Sequence, residues 1–232
     1  MRASSVAPPL SDFLARRFAV PGPFWSWMIF ERIGGVLAYC FARLGVTPAT
    51  VTLLGGAFGI SGAIVLGVAS TPGHLAGAAA LLLLAYSLDC ADGQLARATQ
   101  KASDSGAWLD VATDAVVVAF VTPCLTVALL DGHSPVVSLL LGGAFGASRT
   151  ASLFTSTMVR RDKGGMRLSG AMSHLRRAYI AAIDTPFVYA ALCATRLTPR
   201  LLEIVILGVT VLTAVQTVAS ARRHFASRLQ PH

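Results

Sequence analysis

Four aspartates dominate the chemistry that this sequence could perform. Asp89, Asp92, Asp110 and Asp114 fall in one window of a chain with 11 acidic residues, and a fifth, Asp104, lies in the connection between the two pairs. Apolar runs flank the window on both sides. A carboxylate in such surroundings is costly unless it is solvated, paired or bound to a cation. On a helix, Asp89 and Asp92 project about 60° apart, onto neighbouring faces. Gly106, Asp110 and Asp114 are spaced by four residues and drift by about 40° per step, so they form one stripe. Two helices joined near residues 99–105 would turn the two carboxylate pairs toward each other. Such an all-oxygen donor set suits Mg²⁺ or Mn²⁺. Nothing resembles a soft-metal site, because Cys40, Cys90, Cys124 and Cys193 are scattered and no histidine clusters with them.

The elements that must hold these acids read as membrane helices. The chain is 54% hydrophobic and 13% charged over 232 residues, whereas a soluble domain carries about 25% charged residues. A helix needs about 20 residues to cross a bilayer. Six spans are expected, near residues 51–69, 74–97, 106–130, 135–159, 178–194 and 201–221. Thr47 followed by Pro48 reads as the capped start of the first. Gly55, Gly56, Gly59 and Gly62 in that span permit close helix approach. Residues 70–73 and 131–134 read as turns.

The rest of the chain arranges itself around those spans. Residues 1–20 are polar and contain Arg16 and Arg17, and no apolar stretch directly follows the early charge as it does in a signal peptide. Two short apolar pieces, 24–30 and 33–44, are interrupted by Glu31 and Arg32, a composition suited to a helix lying in the membrane interface, with a poorly aligned first transmembrane helix as the alternative. The expected fold is therefore an all-α integral membrane protein, a six-transmembrane-helix bundle with an N-terminal interfacial amphipathic helix. Residues 1–45 form the cytoplasmic N-terminal segment and interfacial helix, 46–224 the transmembrane catalytic domain, and 225–232 a cytoplasmic tail. The net charge of +8 is then explained by loops and anionic lipid headgroups rather than by nucleic acid. With six spans, every Lys and Arg except Arg149, Arg196 and Arg200 falls on the side of the termini and of the acidic window. That side is cytoplasmic by the positive-inside rule.

Written as a pattern, the window is Asp89, Asp92, Gly93, Ala96, Arg97, Gly106, Asp110 and Asp114, or D-x2-D-G-x2-A-R-x8-G-x3-D-x3-D. It resembles the motif of the CDP-alcohol phosphotransferase (phosphatidyltransferase) family at all eight fixed positions. The six spans, and a motif that crosses from the second to the third, resemble that family as well. One departure is Ala49, where the family often has Asn after Thr-Pro; this weakens any role for residues 47–52. The resemblance implies transfer of the phosphoalcohol moiety of a CDP-linked donor, CDP-diacylglycerol above all, to an acceptor hydroxyl with release of CMP. It implies two divalent ions held by Asp89, Asp92, Asp110 and Asp114, with Asp114 also the general base. Gly93, Ala96 and Gly106 would leave room for CDP, and Arg97 would fork to a phosphate.

Outside the motif, the acceptor stays open among glycerol 3-phosphate, an inositol phosphate, an amino alcohol, serine or another lipid. Arg149, inside the fourth span, could bind an acceptor phosphate, pair with Asp184 or snorkel. Asp184, before Thr185 and Pro186 in the fifth span, reads as a structural partner at a kink. The basic run at 160–167 reads as a lipid-facing loop able to touch an anionic acceptor. Gly142, Gly143 and Gly146 suit either intrachain packing or a homodimer seam. A cation-coupled transporter using the same carboxylates is the alternative reading. Transporter sites usually lie near the midplane between repeated halves, whereas these acids sit at one end of the spans and no repeat is visible.

Overall fold

The computed structural model describes residues 9–11, 13, 25–162 and 182–228. Among the described residues all regular structure is helical. A π-helical turn, Ser26–Phe30, runs into helix α1 (Glu31–Arg43). The bundle follows as α2 (Pro48–Val68), α3 (Pro72–Ala98), α4 (Asp104–Leu129), α5 (Pro135–Asp162), α6 (Thr185–Thr195) and α7 (Pro199–Arg228).

Local chemistry sets the starts. The Thr47 hydroxyl accepts from Thr50 N–H, that of Thr71 from His74 N–H and that of Ser103 from Gly106 N–H. Each satisfies an amide that the helix leaves unpaired at its N-terminus. Pro48 and Pro72 occupy first turns, where a missing N–H costs nothing. The α3 to α4 connection closes through Gln100 in the left-handed region, φ 56°.

Five helices, α2 to α5 and α7, are long and apolar enough to cross a membrane. The expected fifth span departs from this. Asp184 is extended (φ −61°, ψ 128°), so the helix is interrupted there and α6 itself has 11 residues. Pro186 in its first turn explains the break, since proline disfavours helical continuation through the residues before it. Residues 178–181, Arg176, Arg177 and the part of the basic run from Lys163 to Arg167 lie outside the described residues. Helix α7 continues to Arg228, past the expected boundary of the tail at 225.

Glycines let α2 approach two neighbours. A Cβ on Gly62 would lie 3.0 Å from the Leu82 backbone nitrogen of α3, and one on Gly59 would lie 2.9 Å from Val117 of α4. Gly142 and Gly146 of α5 face Thr126 and Thr122 of α4, so they serve intrachain packing; Gly143 has open space around it. Helix α1 buries Gly34, Gly35 and Ala38 and places Gly34 against Cys90 of α3. Leu66, Leu82, Leu125, Leu129, Phe145, Leu192, Leu202 and Ile206 form the principal core. They fill the end of the bundle where the α2 to α3 and α4 to α5 turns lie. A second cluster, with Phe13, Ala38, Val51, Leu88 and Leu95, seals α1 onto α3. The opposite end of the bundle interior is left for a polar cavity.

Candidate active site

That cavity, about 370 Å³, is lined by Asp89, Asp92, Asp110 and Asp114 together. The 60° offset of the α3 pair and the four-residue stripe on α4 turn both pairs inward, as their spacing predicts. Asp89 lies within electrostatic reach of Asp114, Asp110 and Asp92. Helix α2 supplies Thr52, whose hydroxyl donates to Asp92. Gly55 and Gly56 of α2 also line the cavity and keep its floor low.

The facing wall comes from α5, the approach to α6, and α7. Arg149, Ser152, Asp184, Thr185, Tyr189 and Gln216 all line it. Arg149 does not pair with Asp184. Its guanidinium donates to the Ile183 carbonyl at 3.4 Å and to the Thr185 hydroxyl at 2.7 Å. Half-buried and facing four acids across the cavity, it makes no ion pair among the described residues. Tyr189 lies within the electrostatic reach of Arg149, Asp114 and Asp89.

Other expected site residues lie elsewhere. Gly93, Ala96, Arg97 and Gly106 are not in the cavity wall. They continue from the acids toward the α3 to α4 connection, and the Arg97 guanidinium lies over Gly93, 3.1 Å from where a Cβ would sit. The absence of a side chain at Gly93 thus makes room for Arg97. Gly106 and Arg97 are exposed.

The sequence pattern alone does not assign Thr52, Tyr86, Tyr189 or Gln216 to the cavity. Thr52 carried a signal in its spacing, one turn after the Pro48 start. Tyr86 had one too, one turn before Asp89. For Tyr189 and Gln216 the only sign was a polar side chain within an apolar helix.

The donor set fits a hard divalent cation: the four motif carboxylates share one cavity with no cysteine or histidine among the described residues of its wall. Among the described residues, no three His, Cys, Asp or Glu side chains are already gathered into a finished cage. The acids are instead presented as two facing pairs on separate helices.

A multi-pass helical bundle with a carboxylate-lined cavity at one end defines an integral membrane protein built to handle a charged substrate beside lipid. The sequence matches the CDP-alcohol phosphatidyltransferase model over residues 45–220, and the chain belongs to that family. It is accordingly a CDP-alcohol phosphotransferase of phospholipid biosynthesis, moving a phosphatidyl group to an acceptor alcohol. No curated protein sequence is a significant match. Among solved structures it is similar to phosphatidylinositol phosphate synthase of Mycobacterium tuberculosis with CDP-DAG bound, at 19% identity and TM-score 0.59, covering 82% of this chain and 92% of that one. It is similar also to the same enzyme in complex with manganese and citrate, at 20% identity and TM-score 0.57, covering 80% and 87%. At that identity the likeness establishes the shared fold.

Proposed function

We propose that the donor is CDP-diacylglycerol, that the acceptor is a phosphorylated polyol such as glycerol 3-phosphate or an inositol phosphate, and that transfer depends on two divalent ions, Mg²⁺ or Mn²⁺. One observation carries this reading: four carboxylates and an arginine with no acidic partner among the described residues face each other across one cavity. The acids suit a pyrophosphate brought in with its cations, and Arg149 suits an anionic acceptor. CDP-DAG and manganese in the similar mycobacterial structures support the donor and the metal.

Asp89, Asp92, Asp110 and Asp114 would hold the ions, which neutralise charge on the phosphate oxygens and on the departing CMP. The acceptor hydroxyl attacks the phosphorus that carries the lipid, the bond to CMP breaks, and Asp114 takes the hydroxyl proton. A carboxylate beside a cation is a weak base, so it acts best on a hydroxyl already aimed at phosphorus. Arg149 does that aiming by holding the acceptor phosphate, as Arg97 at the rim holds a donor phosphate. Gly93, Ala96 and Gly106 leave room for CDP along the connection. The protein lies in the cell membrane with the cavity open to the cytoplasm, where CDP-alcohols and polyol phosphates are soluble or accessible, and α1 lies in the interface.

The test is a panel of acceptors (glycerol 3-phosphate, inositol 1-phosphate, inositol, serine and ethanolamine) with CDP-diacylglycerol and either metal, read by CMP release and product mass. CMP release with a phosphorylated polyol supports the reading; release only with serine or an amino alcohol overturns it. Asp114→Asn is expected to abolish release while the protein stays folded.

A further inference from the structure

The cavity has a wall that lies outside the motif. It forms where the break before α6 meets the N-terminal turn. Asp184 is 4% exposed and lines the cavity. Its carboxylate accepts from the Ser26 N–H at 2.8 Å and from the Ser26 hydroxyl. With the Ser26 proton committed to Asp184, the Tyr86 hydroxyl donates to Ser26 Oγ. Tyr86 stands one turn before Asp89 on α3 and lines the same cavity.

Ring contacts reinforce the junction. Trp25 stacks on Phe187 of α6 with centroids 6.2 Å apart, and Phe30 packs edge-on against Tyr86 at 5.5 Å. On the other side of the break, Arg149 donates to the neighbours of Asp184, the Ile183 carbonyl and the Thr185 hydroxyl. The break is therefore gripped from both flanks: by the N-terminal turn through the Asp184 side chain, and by α5 through Arg149. A buried carboxylate is held well only where its oxygens find donors, and here Ser26, 158 residues away, supplies two of them. Ser26 lies outside the family match, which begins at residue 45.

We propose that Ser26 and Asp184 are positioning residues for the transfer: they lock the break at 183–185, so that Arg149 keeps its aim and Tyr86 its place beside Asp89. The N-terminal turn is thereby a working part of the cavity. This rests on the reading of Arg149 as the acceptor-facing cation.

The test compares Ser26→Ala, Ser26→Thr, Arg149→Lys and the double variant Ser26→Ala with Arg149→Lys. The full chain is used with CDP-diacylglycerol, metal, and whichever alcohol of the panel releases CMP. Loss of the two hydrogen bonds of the Ser26 hydroxyl, to Asp184 and from Tyr86, is expected to raise the acceptor KM about three- to tenfold in Ser26→Ala, with the donor KM and kcat held within about twofold. Ser26→Thr, which keeps the N–H and the hydroxyl, restores the parent value. The double variant loses less than the product of the two single effects, because both act on one break.

An unchanged acceptor KM in Ser26→Ala, with or without a lower melting temperature, overturns the proposal, and so, where Arg149→Lys itself raises the acceptor KM, do purely multiplicative effects. An unchanged acceptor KM in Arg149→Lys fails the acceptor reading alone, since Ser26→Ala is still read on its own acceptor KM. Should Ser26→Ala not fold, Tyr86→Phe, which removes only the hydroxyl that reaches Ser26, is read in the same way.

Discussion

Thr52 of α2 donates its hydroxyl to the carboxylate of Asp92 on α3, 40 residues later in the chain. The same oxygen lies 3.1 Å from the Pro48 carbonyl, so its one proton has two acceptors and is drawn to the charged one. Thr52 is buried, 7% exposed, as is Asp92, 6% exposed. A hydrogen bond to a charged group contributes about 1.5–3 kcal/mol. Thr52→Val, nearly isosteric, is expected to lower CMP release at limiting metal about tenfold or more, with Thr52→Ser close to the parent. Titrating Mg²⁺ or Mn²⁺ against activity checks this: an unchanged half-activating concentration for Thr52→Val would show that Thr52 does not orient Asp92.

Four carboxylates around one cavity repel each other unless cations stand between them. Chelation of divalent metal is expected to stop CMP release, and readdition of Mg²⁺ or Mn²⁺ to restore it. Asp89→Asn and Asp110→Asn should each raise the metal needed for half activation. Calcium, larger and content with irregular shells, is expected to support less activity at equal concentration. Activity that survives chelation would remove the metal from the mechanism.

Close approach of α2 to α3 depends on Gly62. A Cβ there would meet the Leu82 backbone nitrogen at 3.0 Å and its Cγ at 2.8 Å, and backbone cannot swing aside. Gly62→Val is expected to destabilise the bundle by about 1–3 kcal/mol, seen as a lower melting temperature in detergent. Gly143→Ala, where nothing lies within 4 Å, should leave it unchanged within error. Equal melting temperatures for the two variants would contradict the packing described.

Arg196 holds the end of the bundle away from the cavity. It is 5% exposed and donates to the Leu66 and Gly67 carbonyls at 3.2 and 3.1 Å and to Asp131 at 2.8 Å. It closes the last turn of α2, where carbonyls lack helical partners. Removing one partner from a buried ionic contact costs about 3–5 kcal/mol, less here because Asp131 is 61% exposed. Arg196→Ala should therefore lower thermal stability by about 2 kcal/mol or more while the KM of the folded fraction stays at the parent value. A selective change in KM would instead link this end of the bundle to the site.

The eight fixed positions of the motif, the helical spacing of its acids and the long apolar runs were legible in the sequence because each is a local pattern. Spacing decides which face a side chain takes, and hydropathy decides that the helix meets lipid. These features anticipated that two aspartate pairs would meet across one cavity. They also anticipated most helix limits, since Thr47, Thr71, Ser103 and the prolines act within one turn. The break at Asp184 was visible as Thr185 followed by Pro186, yet its extent was not. Whether a helix bends or stops depends on which distant groups satisfy the freed backbone and the buried carboxylate.

Pairings between distant residues were decided only by the tertiary structure. That Asp184 is answered by Ser26 rather than Arg149, that Thr52 and not residue 49 reaches the motif, and that Gly142 and Gly146 face Thr126 and Thr122 within one chain all follow from how the helices rotate and approach one another. Arg196 shows the same thing from the other side: an apparent loop charge became a buried clamp once α2 ended beside it. By itself the sequence determined an all-helical, multi-pass chain, its family and the spacing of the four acids, because those depend on residue type and period. The wall facing the acids was decided by packing, because it is assembled from single residues on separate elements that share no local pattern.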